Sequence, residues 1–201
     1  MSQDRAAVCG DALRGFGDGP GSRVAGHMVG EQSESHKWCM NPCPCGYFTD
    51  PQRPCTCSPQ QIQRYRSRVS GPLLDRIDLH LDVPPLRYRE LKTDSQGESS
   101  EQVRDRVKGA RALQQERFRQ TRTFCNAQMG VKQIRRHCVI GPDGQALLET
   151  AIERLGLSAR AHDRILKVAR TIADLEGHET IRTDHLAEAI QYRTIDRRSG
   201  W

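Results

Sequence analysis

Four cysteines packed into two proline-punctuated knuckles constrain this chain more than any other feature. Cys43 and Cys45, then Cys55 and Cys57, stand in the run Asn41-Pro-Cys-Pro-Cys-Gly-Tyr-Phe-Thr-Asp-Pro-Gln-Arg-Pro-Cys-Thr-Cys57. Four thiolates are enough soft ligands to close a tetrahedral structural zinc site. Pro42, Pro44 and Pro54 pre-bend the backbone and lower the ordering cost of gathering those ligands. The C-x-C spacing is tighter than the usual two-residue spacer, so one ligand pair is expected to carry strain. An iron–sulfur cluster suits the spacing less well, and reduced thiols bracing a loop are the metal-free alternative. A closed site of this kind props a loop and leaves no open position for chemistry. Cys9, Cys39, Cys125 and Cys138 are scattered, and Cys138 in Arg-His-Cys-Val-Ile reads as a small buried hydrophobe. His36 and His80 are weak candidates for further ligands.

With 201 residues the chain has room for one ordinary domain, or for one and a half small ones. Its hydrophobic content of 36% and mean hydropathy of −0.71 are low, so part of it is expected to be extended or unburied. A net charge of +6 suits a polyanionic partner, nucleic acid or nucleotide phosphate. The bias of 26 arginines to five lysines fits a GC-rich genome equally well. The opening Met-Ser-Gln-Asp-Arg carries no apolar segment, and no stretch approaches membrane-spanning length, so the expectation is a cytoplasmic protein without a membrane partner. In that compartment eight cysteines favour thiols or metal over disulfides.

Residues 1 to 37 lack periodicity, contain the glycine-rich run 15–21, and read as unstructured. Ser58 and Pro59 then open a short helix with Ile62, Tyr65 and Val69 on one face. Residues 77–83 alternate without fault, predicting a strand with Ile77, Leu79, Leu81 and Val83 inward and Asp78, His80 and Asp82 outward. Beyond a polar linker (92–100) everything reads helical. Ser100 caps a helix with a stripe of Val103, Val107, Ala110 and Leu113; short helices follow near 131–137 and 144–155. Ser158 caps the strongest helix, buried through Ala161, Ile165, Val168, Ala169, Ile172 and Leu175 and stopped by Gly177. Thr183 starts the last, with Leu186, Ala189 and Ile190 inward.

Several long segments resemble one family. They are Met40-Asn-Pro-Cys-Pro-Cys-Gly-Tyr47, Ser70-Gly-Pro-Leu-Leu-Asp-Arg-Ile-Asp-Leu79, Leu157-Ser-Ala-Arg-Ala161 and Ile165-Leu-Lys-Val-Ala-Arg-Thr-Ile-Ala-Asp-Leu175. Over residues 40–198 the chain resembles the C-terminal part of the ComM-type, magnesium-chelatase-like AAA+ ATPases. The resemblance implies an α/β fragment of a AAA+ core, with an incomplete sheet and a Cys-rich insert, followed by an all-α helical lid. It implies ATP and Mg2+ as cofactors, a homo-oligomeric ring (a hexamer) and DNA as partners, and a role in branch migration during natural transformation and recombination. Asn41 matches the sensor-1 asparagine that orients the attacking water. Arg76 matches the arginine finger, where a permanently charged fork can bind phosphate oxygens. Arg160 matches the sensor-2 arginine, near a helix N-terminus that favours phosphate. Taken alone, Asn41 is also a turn starter, Arg76 an ion-pair partner for Asp75 or Asp78, and Arg160 a solvated helix residue.

The chain also departs from that family. No Gly-x-x-x-x-Gly-Lys-Ser/Thr phosphate loop occurs in it, nor the acidic strand end that holds magnesium, so hydrolysis by these residues alone is not expected. Residues 31–39 are too polar for the buried central strand that precedes Asn41 in the family. The expected organisation is an aberrant or disordered segment (1–38, from another reading frame or a wrong start), a core remnant with the cysteine insert (39–92) and a helical lid (93–201). Marginal stability is expected around 77–81. Two alternatives stay open: a metal-stabilised DNA-binding module using Arg64, Arg66, Arg68, Arg87 and Arg89, and a magnesium-chelatase-type subunit acting on a porphyrin, which the cysteine insert disfavours.

Overall fold

A computed structural model describes the backbone of residues 25–28, 36–84 and 97–193, and side-chain environments from residue 39 onward within those ranges. Strands β1 (Ala25–Met28) and β2 (His36–Cys39) pair antiparallel, with Ala25 opposite Cys39 and Met28 opposite His36. This corrects the unstructured reading for those residues. A two-stranded ladder needs only main-chain donors and acceptors to pair, not an apolar face. The remainder of the segment 1–35 lies outside the described residues, as do Arg87 and Arg89.

The described residues fall into two compact units: one running up to Val69 and including Pro84 and Gly97, the other comprising Ser70–Val83 and the chain from Glu98 on. In the first, helix α1 (Pro59–Arg66) follows the cysteine knuckle. Its start is a capping box. Ser58 Oγ accepts from the Gln61 N–H, and Gln61 Oε1 accepts from the Ser58 N–H, with Pro59 in the first turn where no donor is needed. Ile62 and Tyr65 are buried as the spacing predicts.

In the second unit, the short helix α2 (Gly71–Leu74) precedes an irregular stretch, and a helical bundle follows. The bundle comprises α3 (Ser100–Phe118), a 3-10 turn (Asn126–Gln128), α4 (Val131–His137), α5 (Pro142–Leu155), α6 (Ala159–Leu175) and α7 (Thr183–Gln191). Helix α6 is central because Ala161, Ile165, Leu166, Ala169, Ile172 and Ala173 recur every three or four residues. That stripe packs against α3, α4, α7 and the 3-10 turn. The end of α6 is set by Gly177 at φ +74°, where the His178 N–H donates back to the Ala173 carbonyl at 2.8 Å. Helices α5 and α7 approach closely at Gly144, where a Cβ would sit 3.6 Å from Leu186 Cδ2.

Two sequence expectations fail here, for related reasons. Residues 77–83 form no strand, and the expected alternation is only partly kept: His80 is buried while Leu79, Leu81 and Val83 are exposed, whereas Asp78 and Asp82 face out and Ile77 is half-buried. Alternation specifies a buried face only when a neighbouring strand supplies a ladder. Here polar anchors decide instead. The His80 N–H donates to the Tyr192 carbonyl at 2.9 Å, Arg193 Nη1 donates to the Ile77 carbonyl, and Asp78 pairs with Arg164. On α3, which is capped by Ser99 rather than Ser100, the buried residues are Ala110, Gln114 and Phe118. Val103, Val107 and Leu113 remain exposed, because the buried part of α3 is the face that carries Ala110, Gln114 and Phe118 at four-residue spacing.

Candidate functional site

The cysteine knuckle is built by turns. Gly46 (φ +84°) and Thr49 (φ +71°) reverse the chain, and the Gly46 N–H donates to the Cys43 carbonyl at 3.0 Å. The result folds Cys55 back onto the first pair. Sγ atoms lie 3.3 Å apart for Cys43 and Cys45, 3.7 Å for Cys43 and Cys55, and 3.6 Å for Cys45 and Cys55. With Cys57, the ligand atoms all lie within 4.8 Å of one another. A tetrahedron with Zn–S bonds of ~2.3 Å has edges of about 3.8 Å, so this sulfur set fits a zinc ion.

Main-chain donors orient the sulfurs. The Phe48 N–H reaches Cys43 Sγ at 3.3 Å, and those of Tyr47 and Thr56 reach Cys45. These bonds stabilise negative sulfur and fix the ligand geometry. Without a cation the four thiols cannot all ionise. The Tyr47 N–H chiefly holds the Cys45 thiol down to about 5. Desolvation pushes Cys57 up to about 12. Cys55 is drawn down by the Cys57 N–H, but desolvation and the neighbouring sulfurs outweigh that and raise it. Clustered like charges that resist ionising together are what a divalent metal relieves. The donor set therefore could hold a soft divalent ion such as zinc.

Asn41 lies two residues beyond β2 and is exposed. Its Nδ2 is 3.7 Å from where a Cβ on Gly46 would stand, an ordinary contact, so the glycine is required by the positive φ of the turn. The Tyr65 hydroxyl, desolvated and with a raised pKa, accepts from the Asn41 main-chain N–H.

Arg76 follows α2 and is exposed. Both neighbouring carboxylates are engaged elsewhere. Arg193, only 1% exposed, brings Nη2 to 3.6 Å from Asp75 Oδ1 while its Nη1 donates to the Ile77 carbonyl. Asp78 pairs with Arg164 of α6. Neither the Asp75 nor the Asp78 alternative for Arg76 is realised, and its guanidinium makes no ion pair with another described residue. Arg160, in the first turn of α6, is likewise exposed.

Sequence reasoning missed the polar cluster inside the bundle. Arg117 of α3 forks onto Asp174 of α6 at 2.7 and 2.5 Å, and also donates to Asn126 Oδ1 at 2.8 Å. Asn126 Nδ2 donates to Asp174 Oδ2 at 2.7 Å, and its main-chain N–H donates to Gln114. Arg170 Nε donates to Asp174 Oδ1 at 3.1 Å, and its Nη atoms donate to the carbonyls of His178 and Glu179 beyond the helix end. The spacing of Arg170 and Asp174, one turn apart, was the one signal that pointed to it.

Glu176, His178 and His185 also gather possible ligand atoms. Their hydrogen bonds argue against a metal. His185 Nδ1 accepts from the Arg182 N–H at 3.1 Å, so Nε2 carries the proton and donates to Glu176 Oε2 at 3.0 Å. A metal on Nε2 would need a proton on Nδ1, which would then face another donor. This cluster caps α7.

Comparison with known proteins places the chain in one family. Residues 97–193 match the family described as magnesium chelatase, subunit ChlI C-terminal, and residues 36–91 match magnesium chelatase, subunit ChlI. Over these residues the chain belongs to the magnesium chelatase ChlI family. It is 46% identical over 159 residues to Competence protein ComM of Haemophilus influenzae, an alignment covering 79% of this chain and 30% of that protein. Similarity extends to Uncharacterized protein YifB of Escherichia coli, at 43% over the same coverage. An uncharacterized protein of Mycobacterium tuberculosis is 38% identical over 158 residues, covering 79% of this chain and 31% of that protein. The chain thus spans about a third of the length of these relatives. The helical bundle fits the ChlI C-terminal lid. Among the described residues, no helix is long and apolar enough to cross a membrane.

Proposed function

We propose that this chain is the sensor, finger and lid portion of a ComM-like AAA+ ATPase, with Arg76 as the arginine finger. The observation that carries this reading is the exposure of Arg76 between two carboxylates that are already paired. An arginine finger must reach phosphate oxygens on another subunit, so it cannot be spent on its own neighbours. Arg193 and Arg164 draw Asp75 and Asp78 toward the bundle and leave Arg76 available. The fold assigned to residues 39–92 under this proposal is the remnant of the α/β core; 93–201 is the lid.

The residues present do not make a complete nucleotide site, because a phosphate loop and a magnesium-holding acid are lacking in the sequence. Arg76 then acts in trans, offering two parallel N–H groups and a fixed positive charge to a nucleotide held by a neighbouring subunit in a ring. Asn41 and Arg160 are the polar groups proposed to face a nucleotide held in cis. The name of the Haemophilus relative supports a link to competence; DNA as the ring's substrate, in branch migration and recombination, is proposed from the resemblance alone. The four-cysteine knuckle is proposed to hold structural zinc, propping the loop between Asn41 and α1.

The test is complementation. A full-length relative with alanine at the position aligned with Arg76 is mixed with this chain, and ATP hydrolysis is followed. Restoration by the native chain but not by Arg76→Ala supports the finger, since removing such a group costs on the order of 10³-fold or more in rate. Equal restoration by both chains, or none by either, overturns it.

A further inference from the structure

The four sulfurs of the knuckle differ in access. Cys43 has no exposed surface, whereas Cys45, Cys55 and Cys57 are half-buried. Cys45 and Cys57 also open onto a shallow groove of about 500 Å³ between the knuckle and α1. We propose that Cys45 and Cys55 are an oxidative modification site: a hydroperoxide converts them reversibly to a disulfide and the knuckle releases its metal. Release rests on the knuckle holding zinc; the pairing rests on sulfur geometry alone.

Cys45 Sγ and Cys55 Sγ lie 3.6 Å apart although they are ten positions apart in sequence. A disulfide of about 2.05 Å requires them to close by only about 1.5 Å. The turn that presents Cys45 is held by the Gly46 N–H donating to the Cys43 carbonyl at 3.0 Å. A bridge to Cys55 comes from the other arm of the knuckle and leaves that turn whole. Cys43 is nearer to Cys45, at 3.3 Å, but a bridge between them must close across Pro44, whose ring fixes φ within the turn.

Oxidation acts on the ligands, so a closed tetrahedral site is no bar to it. Zinc keeps coordinated sulfur deprotonated, and the thiolate is the form that attacks. Sharing a lone pair with the ion slows that attack, as it slows alkylation, without removing the negative charge. Cys45 Sγ attacks one peroxide oxygen and forms an S–O bond. The O–O bond breaks, and the departing alkoxide takes up a proton and leaves as the alcohol. Cys45 is thereby oxidised to sulfenic acid and the peroxide is reduced. Cys55 Sγ then attacks Cys45 Sγ, the S–O bond breaks, and hydroxide takes a second proton and leaves as water. Two thiolates, one hydroperoxide and two protons from solvent give one disulfide, one alcohol and one water. The sulfurs left over, on Cys43 and Cys57, are half of a tetrahedral set and no longer hold the ion.

Contacts that oxidation does not touch keep the knuckle folded, which makes the change reversible. Arg66 Nε donates to the Pro42 carbonyl at 3.2 Å, and its guanidinium lies 4.9 Å from the Phe48 ring centroid, tying the first arm to α1. Asp50 Oδ1 accepts from the N–H groups of Gln52 and Arg53 and shapes the turn between the arms. With Cys55 held this close, sulfenic acid at Cys45 is consumed before a second hydroperoxide carries it to sulfinic acid.

For the test, one portion of the full chain is supplied with zinc and another is stripped with a chelator. Both receive hydrogen peroxide in several-fold excess. Remaining thiols are then alkylated, bridges are mapped by peptide mass spectrometry, and a chromophoric chelator reports free zinc. Both portions are expected to form the Cys45–Cys55 bridge, the stripped one faster, and the loaded one to release about one zinc per bridge. Dithiothreitol should restore the thiols and the zinc content. A bridge between any other cysteines, or sulfinic acid at Cys45 without a bridge, overturns the pair. Zinc retained by the bridged chain overturns the release. A native chain that takes up no zinc overturns the metal reading, and the stripped portion still decides the pair. Cys55→Ser removes the resolving thiol, so in the stripped state dimedone should trap Cys45 sulfenic acid several-fold more in this variant than in the native chain. Equal trapping in the two chains overturns Cys55 as the partner.

Discussion

Arg117 and Asp174 stand 57 positions apart in sequence yet meet in a two-pronged ion pair in which the Asp174 side chain has no exposed surface. The pair joins α3 to α6, and Asn126 and Arg170 complete the coordination of the carboxylate. A carboxylate buried this deeply is tolerable only because its lone pairs face donors on several sides. Asp174→Asn leaves two guanidinium groups facing a neutral amide. The expected cost is about 3–5 kcal/mol, read as a shift of the urea midpoint followed by circular dichroism. A change below about 1 kcal/mol would mean that the cluster rearranges around its loss.

Arg193 should control the segment that bears Arg76. It holds Asp75 and the Ile77 carbonyl from the end of α7. Arg193→Met removes both anchors while keeping most of the apolar stem. Limited proteolysis is expected to cut within 70–83 at least several-fold faster, whereas Arg76→Ala, which loses no described partner, leaves the cleavage rate and the melting temperature unchanged. Equal protection of native and Arg193→Met chains would show that the anchors are dispensable.

The knuckle thiols should differ in reactivity once stripped of metal. Cys45 is lowered to about 5 and Cys57 raised to about 12, so at neutral pH Cys45 is thiolate and Cys57 thiol. The thiolate is the nucleophile. Iodoacetamide at about pH 7 should therefore label Cys45 well before Cys57 in the metal-free chain, with sites read by peptide mass spectrometry. Zinc should protect both. Simultaneous labelling would contradict the hydrogen-bond pattern that holds Cys45 ionised.

The bundle was legible in the sequence because its elements carry local signals that packing does not override. Ser58 and Ser158 cap as expected, Gly177 ends α6, the α7 stripe is buried, and so is the α6 stripe save for Val168 and Leu175, which are half-buried. The knuckle was legible because cysteine spacing implies proximity. What failed were readings whose meaning depends on a distant partner. Alternation in 77–83 reports a strand only if another strand lies alongside; with Arg164, Arg193 and Tyr192 supplying polar anchors, His80 went in and Leu79 and Leu81 came out. The apolar stripe of α3 runs from Val103 to Leu113 in sequence, whereas the buried positions are Ala110, Gln114 and Phe118. The Arg117–Asp174 pair was invisible, although the Arg170–Asp174 spacing hinted at a polar site, because charged residues on helices usually face water and nothing in either local sequence reveals a partner 57 residues away.

Acid should loosen the bundle before its carboxylates titrate. His137, at the end of α4, packs edge-on to Phe118 with ring centroids 5.7 Å apart. Burial lowers its pKa below the ordinary imidazole value of 6.5, helped by the positive charges of Arg117, Arg136 and Arg170. Between 6.5 and the lowered value the unfolded chain takes up a proton that the folded chain resists. The unfolded state then binds more protons, so stability is fully present above pH 6.5 and falls as the pH drops through the folded value. Urea midpoints measured from about pH 7.5 down to about 5 should decline in the native chain. His137→Phe keeps the aromatic contact and removes the titrating group, and should flatten that decline without altering the rank of the other variants. An identical pH profile for the two chains would exclude His137 as the source of the loss.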